Sequence, residues 1–160
     1  YEFEGADASF ELLIRKALGE YRKPFQLQSV RTLTDKRADD AEPITEATLI
    51  VQVDGVVEHT AAEGNGPVHA LDQGLRKALE KFYPNLREVR LKDYRVRVLV
   101  AKHGTDAVVR VLIESGDGES DWSTVGVSQN IVEASLKALV DSIDYKILKD
   151  EARRAAKARG

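Results

Sequence analysis

The sequence of 160 residues contains no cysteine. Without thiol groups the chain can form neither disulfides nor thiolate metal ligands, and this composition is typical of a cytoplasmic protein, which we expect this one to be. No apolar run is long enough to cross a bilayer, and no signal peptide is visible. The chain begins at Tyr1 rather than at a methionine, which indicates a fragment of a longer polypeptide.

An excess of positive charge is also missing, since 24 Lys and Arg residues face 27 Asp and Glu residues and the net charge is −3. We therefore expect neither nucleic acid nor an anionic membrane as a partner. Arg90, Arg95 and Arg97 alternate with apolar residues, which is typical of the solvated face of a strand.

Groups that perform catalysis are sparse as well. The histidines, His59, His69 and His103, are far apart and form no metal-binding spacing. No nucleophile elbow is present, and the acidic loop around Asp117 lacks the spacing of a calcium loop. We expect no metal and no cofactor in this chain, and no catalytic activity of its own.

The chain is organised around the turn Glu63–Val68, where a strand pattern meets a helix pattern. Before the turn, two apolar runs flank an Asp54-Gly55 pair, which predicts a β-hairpin. After it, apolar residues recur at helical spacing, namely Val68, Leu71, Leu75, Leu79 and Phe82. The glycines and Pro67 suit a helix start whose backbone N–H groups bind a small anion such as a carboxylate. The alternative is an ordinary strand-to-helix turn, which is the more common meaning of such a glycine pattern.

The N-terminal segment predicts a helix over 7–22, capped by Asp7 and ended by Pro24. Its predicted apolar side consists of Ala8, Leu12, Ile14, Ala17, Leu18 and Tyr21. Residues 25–32 then predict a strand, and the polar stretch 35–43 predicts a mobile loop.

The second half repeats this order. Its patterns predict strands over 89–100 and 106–114, a loop over 116–119, a third strand ending at 123–126 and a helix over 129–149. The predicted inner face of that helix is Val132, Leu136, Leu139, Ile143 and Ile147, and the tail 151–160 predicts a fraying helix end.

The letters of the two halves also match. Leu75–Leu79 resembles Ser135–Leu139 at an offset of 60 residues (139 − 79 = 60), which aligns Gly66 with Gly126. The predicted fold is therefore α/β in the α+β sense, with two tandem βββα units. Because one helix covers only one face of a three-stranded sheet, we expect the two halves, or two chains, to pack together.

A candidate ligand site follows from the two helix starts. The second start is predicted at Val127-Ser128-Gln129, and Leu91, Tyr94 and Val98 on the strand after the first helix offer an aliphatic surface. A carboxylate on helix N–H groups and an aliphatic side chain against such residues fit a branched-chain amino acid. The alternatives are that Leu91, Tyr94 and Val98 are ordinary core and that His69 is a partly exposed helix residue.

Three ordered motifs carry a family resemblance, namely Glu63–Val68, Leu91–Tyr94 and Thr124–Ser135. Together they resemble the C-terminal regulatory domain of the 2-isopropylmalate synthase and homocitrate synthase family. The opening Tyr1–Leu13 resembles the (R)-citramalate synthase branch of that family. The resemblance covers nearly the whole chain.

The resemblance implies a homodimeric regulatory domain that binds an amino acid and is joined to a catalytic (β/α)8 barrel absent from this chain. In the family, that barrel uses a divalent metal to condense acetyl-CoA with a 2-oxo acid. The effector is isoleucine in the citramalate branch and leucine in isopropylmalate synthases. The implied boundaries are a helical linker at 1–24, a regulatory domain at 25–150 with repeats at about 25–84 and 85–150, and a tail at 151–160.

The resemblance also implies the residues that bind the effector. Asn65, Gly66, Val68 and His69 match the effector loop, Leu91, Tyr94 and Val98 match the aliphatic subsite, and Ser128 and Gln129 match the second helix start. Many relatives have Asp in place of His69 and Pro in place of Gln129. The resemblance therefore implies no acidic partner for the ligand ammonium here, and backbone carbonyl groups are the alternative acceptors.

Two hypotheses about function follow. In the first, the domain is dimeric and senses isoleucine in the first place and leucine in the second, and the ligand shifts a conformational equilibrium that the helix at 7–22 transmits to the barrel. In the second, the domain is a dimerisation module without an active pocket. A stand-alone enzyme is the least favoured reading, because no catalytic constellation is present.

Overall fold

A computed structural model describes residues 5–100 and 107–160. Residues 1–4 of the opening motif, His103, and Asp106 at the predicted strand start lie outside this part of the chain. The elements are α1 (Asp7–Ala17), β1 (Gln26–Asp35), β2 (Ile44–Val53), β3 (Val56–Gly64), α2 (Pro67–Leu79), a 3-10 turn (Pro84–Glu88), β4 (Arg90–Leu99), β5 (Val108–Gly116), β6 (Asp121–Ser128) and α3 (Ile131–Arg159). This order confirms the predicted fold class of two βββα units preceded by a helix.

The chain divides into two compact units. The first unit consists of residues 23–87 and contains β1, β2, β3 and α2. The second unit combines the segment up to Arg22 with the segment from Glu88 onward, so α1 belongs with β4, β5, β6 and α3.

The first unit is an antiparallel sheet in the order β1-β2-β3. Its β2–β3 turn contains Asp54 at φ 47° and Gly55 at φ 83°, so the predicted Asp-Gly hairpin is confirmed. The central strand buries Ala47, Leu49 and Val51, and α2 buries Leu71, Leu75 and Leu79. The periodic apolar face predicted for α2 therefore lies in the core of this unit.

The second unit has the same topology, with the order β4-β5-β6. Its core contains Val111 and Ile113 of β5, Trp122 of β6, and Leu139, Ile143 and Ile147 of α3. The indole Nε1 of Trp122 donates to the carbonyl oxygen of Ser142 at 3.2 Å and to its hydroxyl at 3.1 Å. The polar atom of the largest buried side chain is thus satisfied within the unit. Of the predicted inner face of α3, Val132 and Leu136 are only half-buried.

The structural register of the repeat differs from the predicted one. Helices α2 and α3 begin at Pro67 and Ile131, an offset of 64 residues (131 − 67 = 64). The Thr60 hydroxyl donates to the carbonyl oxygen of Gly74 at 3.1 Å, and the Thr124 hydroxyl donates to that of Ala138 at 2.7 Å. Both pairs are related by this same offset, so the predicted offset of 60 and the pairing of Gly66 with Gly126 are wrong.

The N-terminal helix is shorter than predicted. It ends at Ala17, and Gly19 follows in the left-handed region at φ +71°. The N–H of Glu20 donates to the carbonyl oxygen of Arg15, and the N–H of Gly19 donates to the carbonyl oxygen of Lys16. This is a Schellman ending, so Pro24 does not end the helix. Asp7 does not cap it either, because the N-cap position is Ala6 and has no side-chain cap bond.

Other boundaries shift as well. Helix α3 continues to Arg159, well past the predicted end at Lys149, and α2 ends at Leu79 instead of about Phe82. Strand β1 extends to Asp35, which pairs with Ile44 at the start of β2. Of the predicted apolar side of α1, Ile14 and Leu18 are exposed. Within the described residues no helix is both long and apolar enough to traverse a bilayer.

Candidate functional site

The start of α2 has the backbone geometry predicted for it. Strand β3 ends at Gly64, Gly66 is the extended N-cap residue, and Pro67 is at the start of the helix. Gly66 makes no side-chain cap bond. Because Pro67 has no N–H, the first backbone donors of the helix belong to Val68 and His69.

The loop before α2 is tightly folded against the helix. A Cβ placed on Gly64 would lie 2.5 Å from the backbone nitrogen of Ala70 and 2.9 Å from Nδ1 of His69, so only glycine fits there. The backbone N–H of Asn65 donates to Nδ1 of His69 at 3.3 Å. His69 is exposed, which agrees with the alternative that it is a partly exposed helix residue. Val68 is buried, at 6% exposure.

The start of α3 differs from that of α2. The helix begins two residues after Gln129, and Asn130 is its N-cap. The Asn130 side-chain oxygen accepts from the N–H groups of Val132 at 2.8 Å and Glu133 at 3.3 Å, and Ser128 Oγ accepts from Asn130 N–H at 3.2 Å. These donors are therefore already engaged, and the two helix starts are not equivalent as anion sites.

Sequence reasoning missed Asn130 as the cap. Its signal was nevertheless present, because Asn130 is followed three positions later by Glu133 just before an apolar helical run. The predicted helix start at Val127-Ser128-Gln129 instead contains the last residues of β6 and the exposed Gln129.

Strand β4 carries an uncovered apolar strip, which consists of Tyr94, Val96 and Val98. These side chains are 52%, 43% and 58% exposed. Their partners across the ladder are Ile113, Val111 and Val109 of β5. Since directly opposed residues share one face of a sheet, the strip continues the apolar face that is buried at Val111 and Ile113. Tyr94 and Val98 are thus not ordinary core within this chain.

The predicted aliphatic residues lie far apart along β4. Val98 pairs with Val109, which in turn pairs with Ser128, so Val98 and Ser128 lie in one row of the sheet. Leu91, which is half-buried, pairs with Ser115 near the other end. At about 3.3 Å per residue, Leu91 and Val98 are separated by roughly 23 Å. One small amino acid cannot contact both of them within a single copy of the chain.

A buried charge cluster lies on the β5–β6 turn. The Asp117 carboxylate accepts from the ammonium groups of Lys146 at 2.8 Å and Lys149 at 2.7 Å, and from the backbone N–H groups of Glu119 and Ser120. Burial alone would raise the pKa of Asp117, but these donors outweigh it and hold the pKa well below its ordinary value. The cluster is an ion-pair network between the turn and α3.

The described residues contain no group of three or more His, Cys, Asp or Glu side chains arranged to hold a metal ion. The acidic turn around Asp117 has lysine ammonium groups and backbone N–H groups as its partners. It is therefore a structural connection between β5, β6 and α3.

Comparison with known proteins shows which sequences this chain is similar to. The sequence profile described as the LeuA allosteric (dimerisation) domain matches residues 4–147. The (R)-citramalate synthase of Geobacter sulfurreducens is 62% identical over 94% of this chain, and that of Aquifex aeolicus is 56% identical over 94%. A 2-isopropylmalate synthase of Methanocaldococcus jannaschii is 24% identical over 91%. The chain spans 29% of the length of the first two relatives and 26% of the third.

Proposed function

The chain belongs to the family of LeuA allosteric (dimerisation) domains, and from this premise we propose that it senses a branched-chain amino acid, isoleucine in the first place and leucine in the second. The observation that carries the proposal is the match to (R)-citramalate synthases over 94% of the chain at up to 62% identity. Feedback by the end product of the pathway would then regulate a synthase of which this domain is a part.

The α2 start supports the carboxylate part of the proposal. Backbone donors at Val68 and His69 lie at the positive end of a helix whose N-cap residue has no side-chain cap bond. Asn65 and Gly66 form the approach to these donors, and Gly66 has open space at its missing Cβ. A ligand carboxylate can therefore approach the backbone closely.

The apolar strip of β4 supports a second element of the proposal. Tyr94 and Val98 are more than half exposed on the β-sheet of the second unit, and exposed apolar strips mark interaction surfaces. Because the family description names dimerisation, we propose that a second copy of this chain covers the strip in a homodimer. Ser128, in the row of Val98, belongs to the same proposed surface.

The catalytic chemistry is proposed to lie outside this chain. By the family resemblance, the complete synthase condenses acetyl-CoA with a 2-oxo acid in a barrel that holds a divalent metal, in the cytoplasm. In this view the ligand favours one arrangement of the regulatory domain, and α1 passes that preference to the barrel. The domain itself would have no turnover.

Titration calorimetry tests amino-acid sensing directly. The 160-residue chain is titrated with isoleucine, leucine and valine at millimolar concentrations. We expect binding heat with isoleucine, and weaker binding of leucine, because one methyl position in an apolar pocket changes affinity by about 1–3 kcal/mol. The absence of heat with all three amino acids would refute the sensor proposal.

The second candidate function is a dimerisation module without an active effector pocket, and the family description favours it because dimerisation is one of its two named properties. It predicts a stable dimer by light scattering whose melting temperature is unchanged by any of the three amino acids. A ligand-dependent rise in melting temperature decides for sensing.

A further inference from the structure

Helix α1 covers the outer edge of the second unit's sheet. Strand β6 is an edge strand in the order β4-β5-β6. Its backbone N–H groups at Ser123 and Val125 donate to side chains of α1, namely the Asp7 carboxylate and the Ser9 hydroxyl, each at 2.9 Å. The two acceptors are two residues apart on α1, as are the two donors on β6. The helix thus satisfies donors that an edge strand otherwise leaves open.

The hydroxyl of Ser9 joins three elements of the unit. It accepts from Val125 N–H of β6 and donates to the Asp141 carboxylate of α3 at 2.7 Å. Ser9 is buried at 1% exposure, so water does not replace these partners readily. Its geometry therefore depends on the relative positions of β6 and α3.

A second contact holds the end of the N-terminal segment. The Tyr21 hydroxyl donates to the Asp144 carboxylate at 2.5 Å. Asp144 lies three residues after Asp141, on the same side of α3. Ser9 and Tyr21 thus each connect the segment to α3 by a hydrogen bond.

Apolar contacts attach α1 as well, because Ala8 and Leu12 are each 1% exposed and Ala8 belongs to a core cluster with Val89 and Trp122. Only Ala8, Ser9 and Leu12 of α1 are buried, whereas Phe10, Leu13 and Ile14 are 51%, 45% and 42% exposed. A helix of 11 residues is not stable by itself in water. The hydrogen bonds of Asp7, Ser9 and Tyr21 add to these apolar contacts and fix the position of α1 relative to β6 and α3.

We propose that Ser9 is a positioning residue that couples α1 to the arrangement of β6 and α3, so that binding of an amino acid tightens the attachment of α1. The inference rests on the proposed function. Val125, the partner of Ser9, precedes the candidate residue Ser128 by three positions on the same strand. A ligand that holds β6 and α3 in the arrangement described here also holds the two partners of Ser9 in place, and α1 is the element that receives the change.

Hydrogen exchange of the 160-residue chain, measured by mass spectrometry with and without saturating isoleucine, tests this coupling. We expect exchange in residues 7–17 to slow about fivefold on binding, the factor that corresponds to one net hydrogen bond. In Ser9→Ala this ligand-dependent difference disappears. Ser29→Ala, a matched substitution at an exposed position of β1, retains it.

Two further variants separate positioning from simple loss of structure. Asp141→Asn keeps an oxygen that accepts from the Ser9 hydroxyl, so it retains most of the ligand-dependent difference. If Ser9→Ala does not fold, Asp7→Ala, which removes the contact to Ser123 and leaves Ser9 in place, is measured instead and reduces the difference partly.

The outcomes distinguish the two proposals. If calorimetry shows that isoleucine binds but exchange in residues 7–17 does not change, the coupling through Ser9 is refuted and the sensor proposal stands. If Ser9→Ala keeps the full ligand-dependent difference, the coupling is likewise refuted. If no amino acid binds, both proposals fall together.

Discussion

The ammonium group of Lys146 lies 2.8 Å from the carboxylate of Asp117, and the two side chains are 2% and 1% exposed. Lys146 also meets Asp150 at 3.2 Å and Glu88, at the end of the 3-10 turn, at 3.1 Å. A single buried cation thus ties α3 to the β5–β6 turn and to the segment that leads into β4. Charges are rarely buried so completely unless they are paired.

Replacing Lys146 by Ala should destabilise the chain by about 3–5 kcal/mol, because the buried carboxylate of Asp117 loses a principal partner. Urea denaturation at neutral pH measures this change. Lys137→Ala is the matched control, since Lys137 is 53% exposed and its ion pair with Glu133 lies on the surface. The control should cost no more than about 1 kcal/mol, and equal effects for the two variants would contradict the assigned role of Lys146.

The same cluster predicts a pH dependence. Burial opposes ionisation of Asp117, but the Lys146, Lys149 and backbone donors outweigh it and lower its pKa in the folded state. A lowered folded pKa means that the stabilisation is present above the ordinary pKa of 3.8 and is lost as the pH falls below it. We expect the melting temperature to fall between pH 5 and pH 2.

Asp117→Asn isolates this contribution, because the variant should lose stability at pH 7 and show a smaller further loss on acidification. Burial raises the pKa of Asp72 and of Asp141, and these groups act in the opposite direction, stabilising the fold as they become protonated. If the melting temperatures of the variant and the parent chain fall by the same amount between pH 5 and pH 2, Asp117 is not responsible for the acid destabilisation.

Glycine is required at Gly126 but not at Gly66. A Cβ on Gly126 would overlap the carbonyl oxygen of Ala134 and lie 2.9 Å from the backbone nitrogen of Ala138, whereas no described residue beyond its chain neighbours lies within 4 Å of one on Gly66. Gly66 has φ −177°, which any residue adopts. Gly126→Ala should destabilise the chain by about 3 kcal/mol or more, and Gly66→Ala should leave its melting temperature nearly unchanged, as measured by circular dichroism.

Removing the N-cap of α3 should destabilise the chain less than Gly126→Ala does. Asn130→Ala removes the acceptor of the Val132 and Glu133 N–H groups and should cost about 1 kcal/mol. Gln129→Ala, at the neighbouring exposed position, should be neutral. Chemical denaturation of the two variants side by side measures the difference, and a neutral Asn130→Ala would mean that solvent replaces the cap.

The apolar strip of β4 predicts an effect on ligand binding. Tyr94→Ala should leave the fold of the single chain intact, because Tyr94 is 52% exposed there, and should weaken isoleucine binding about tenfold, because Tyr94 belongs to the expected aliphatic subsite. Leu33→Ala is the control, since Leu33 of β1 is 65% exposed and has no predicted role in binding. Calorimetric affinities that are equal for Tyr94→Ala and the parent chain would remove Tyr94 from the site.

Local features were predictable from the sequence where the physics is local. The Asp54-Gly55 turn needs positive φ angles, which this pair of residues tolerates, and Pro67 suits the first turn of a helix for reasons within one residue. The apolar period of α2 likewise predicted residues that are buried in the structure. The family resemblance reached further, and the profile match over residues 4–147 confirms it.

The register of the repeat was not predictable in this way. Similar letters in the two helices suggested an offset of 60, but the hydroxyls of Thr60 and Thr124 bond to helix carbonyls at an offset of 64. In that register Ala62 of β3 corresponds to Gly126 of β6, and Gly74 of α2 corresponds to Ala138 of α3. The first repeat thus has its glycine on the helix, beside Ala62, whereas the second repeat has its glycine on the strand, beside Ala138. A letter comparison cannot recognise positions where a glycine has moved from the strand to the helix.

By itself the sequence determined the elements of this protein, the order in which they occur and the family to which the chain belongs, because apolar periodicity, turn residues and motif order are properties of neighbouring residues. Only the tertiary structure decided that Asp7 bonds to β6 rather than capping its own helix, that Lys146 is buried, and that the strip around Tyr94 is exposed. Each of these features depends on contacts between residues that are far apart in the sequence. Local patterns among neighbouring residues do not specify such contacts.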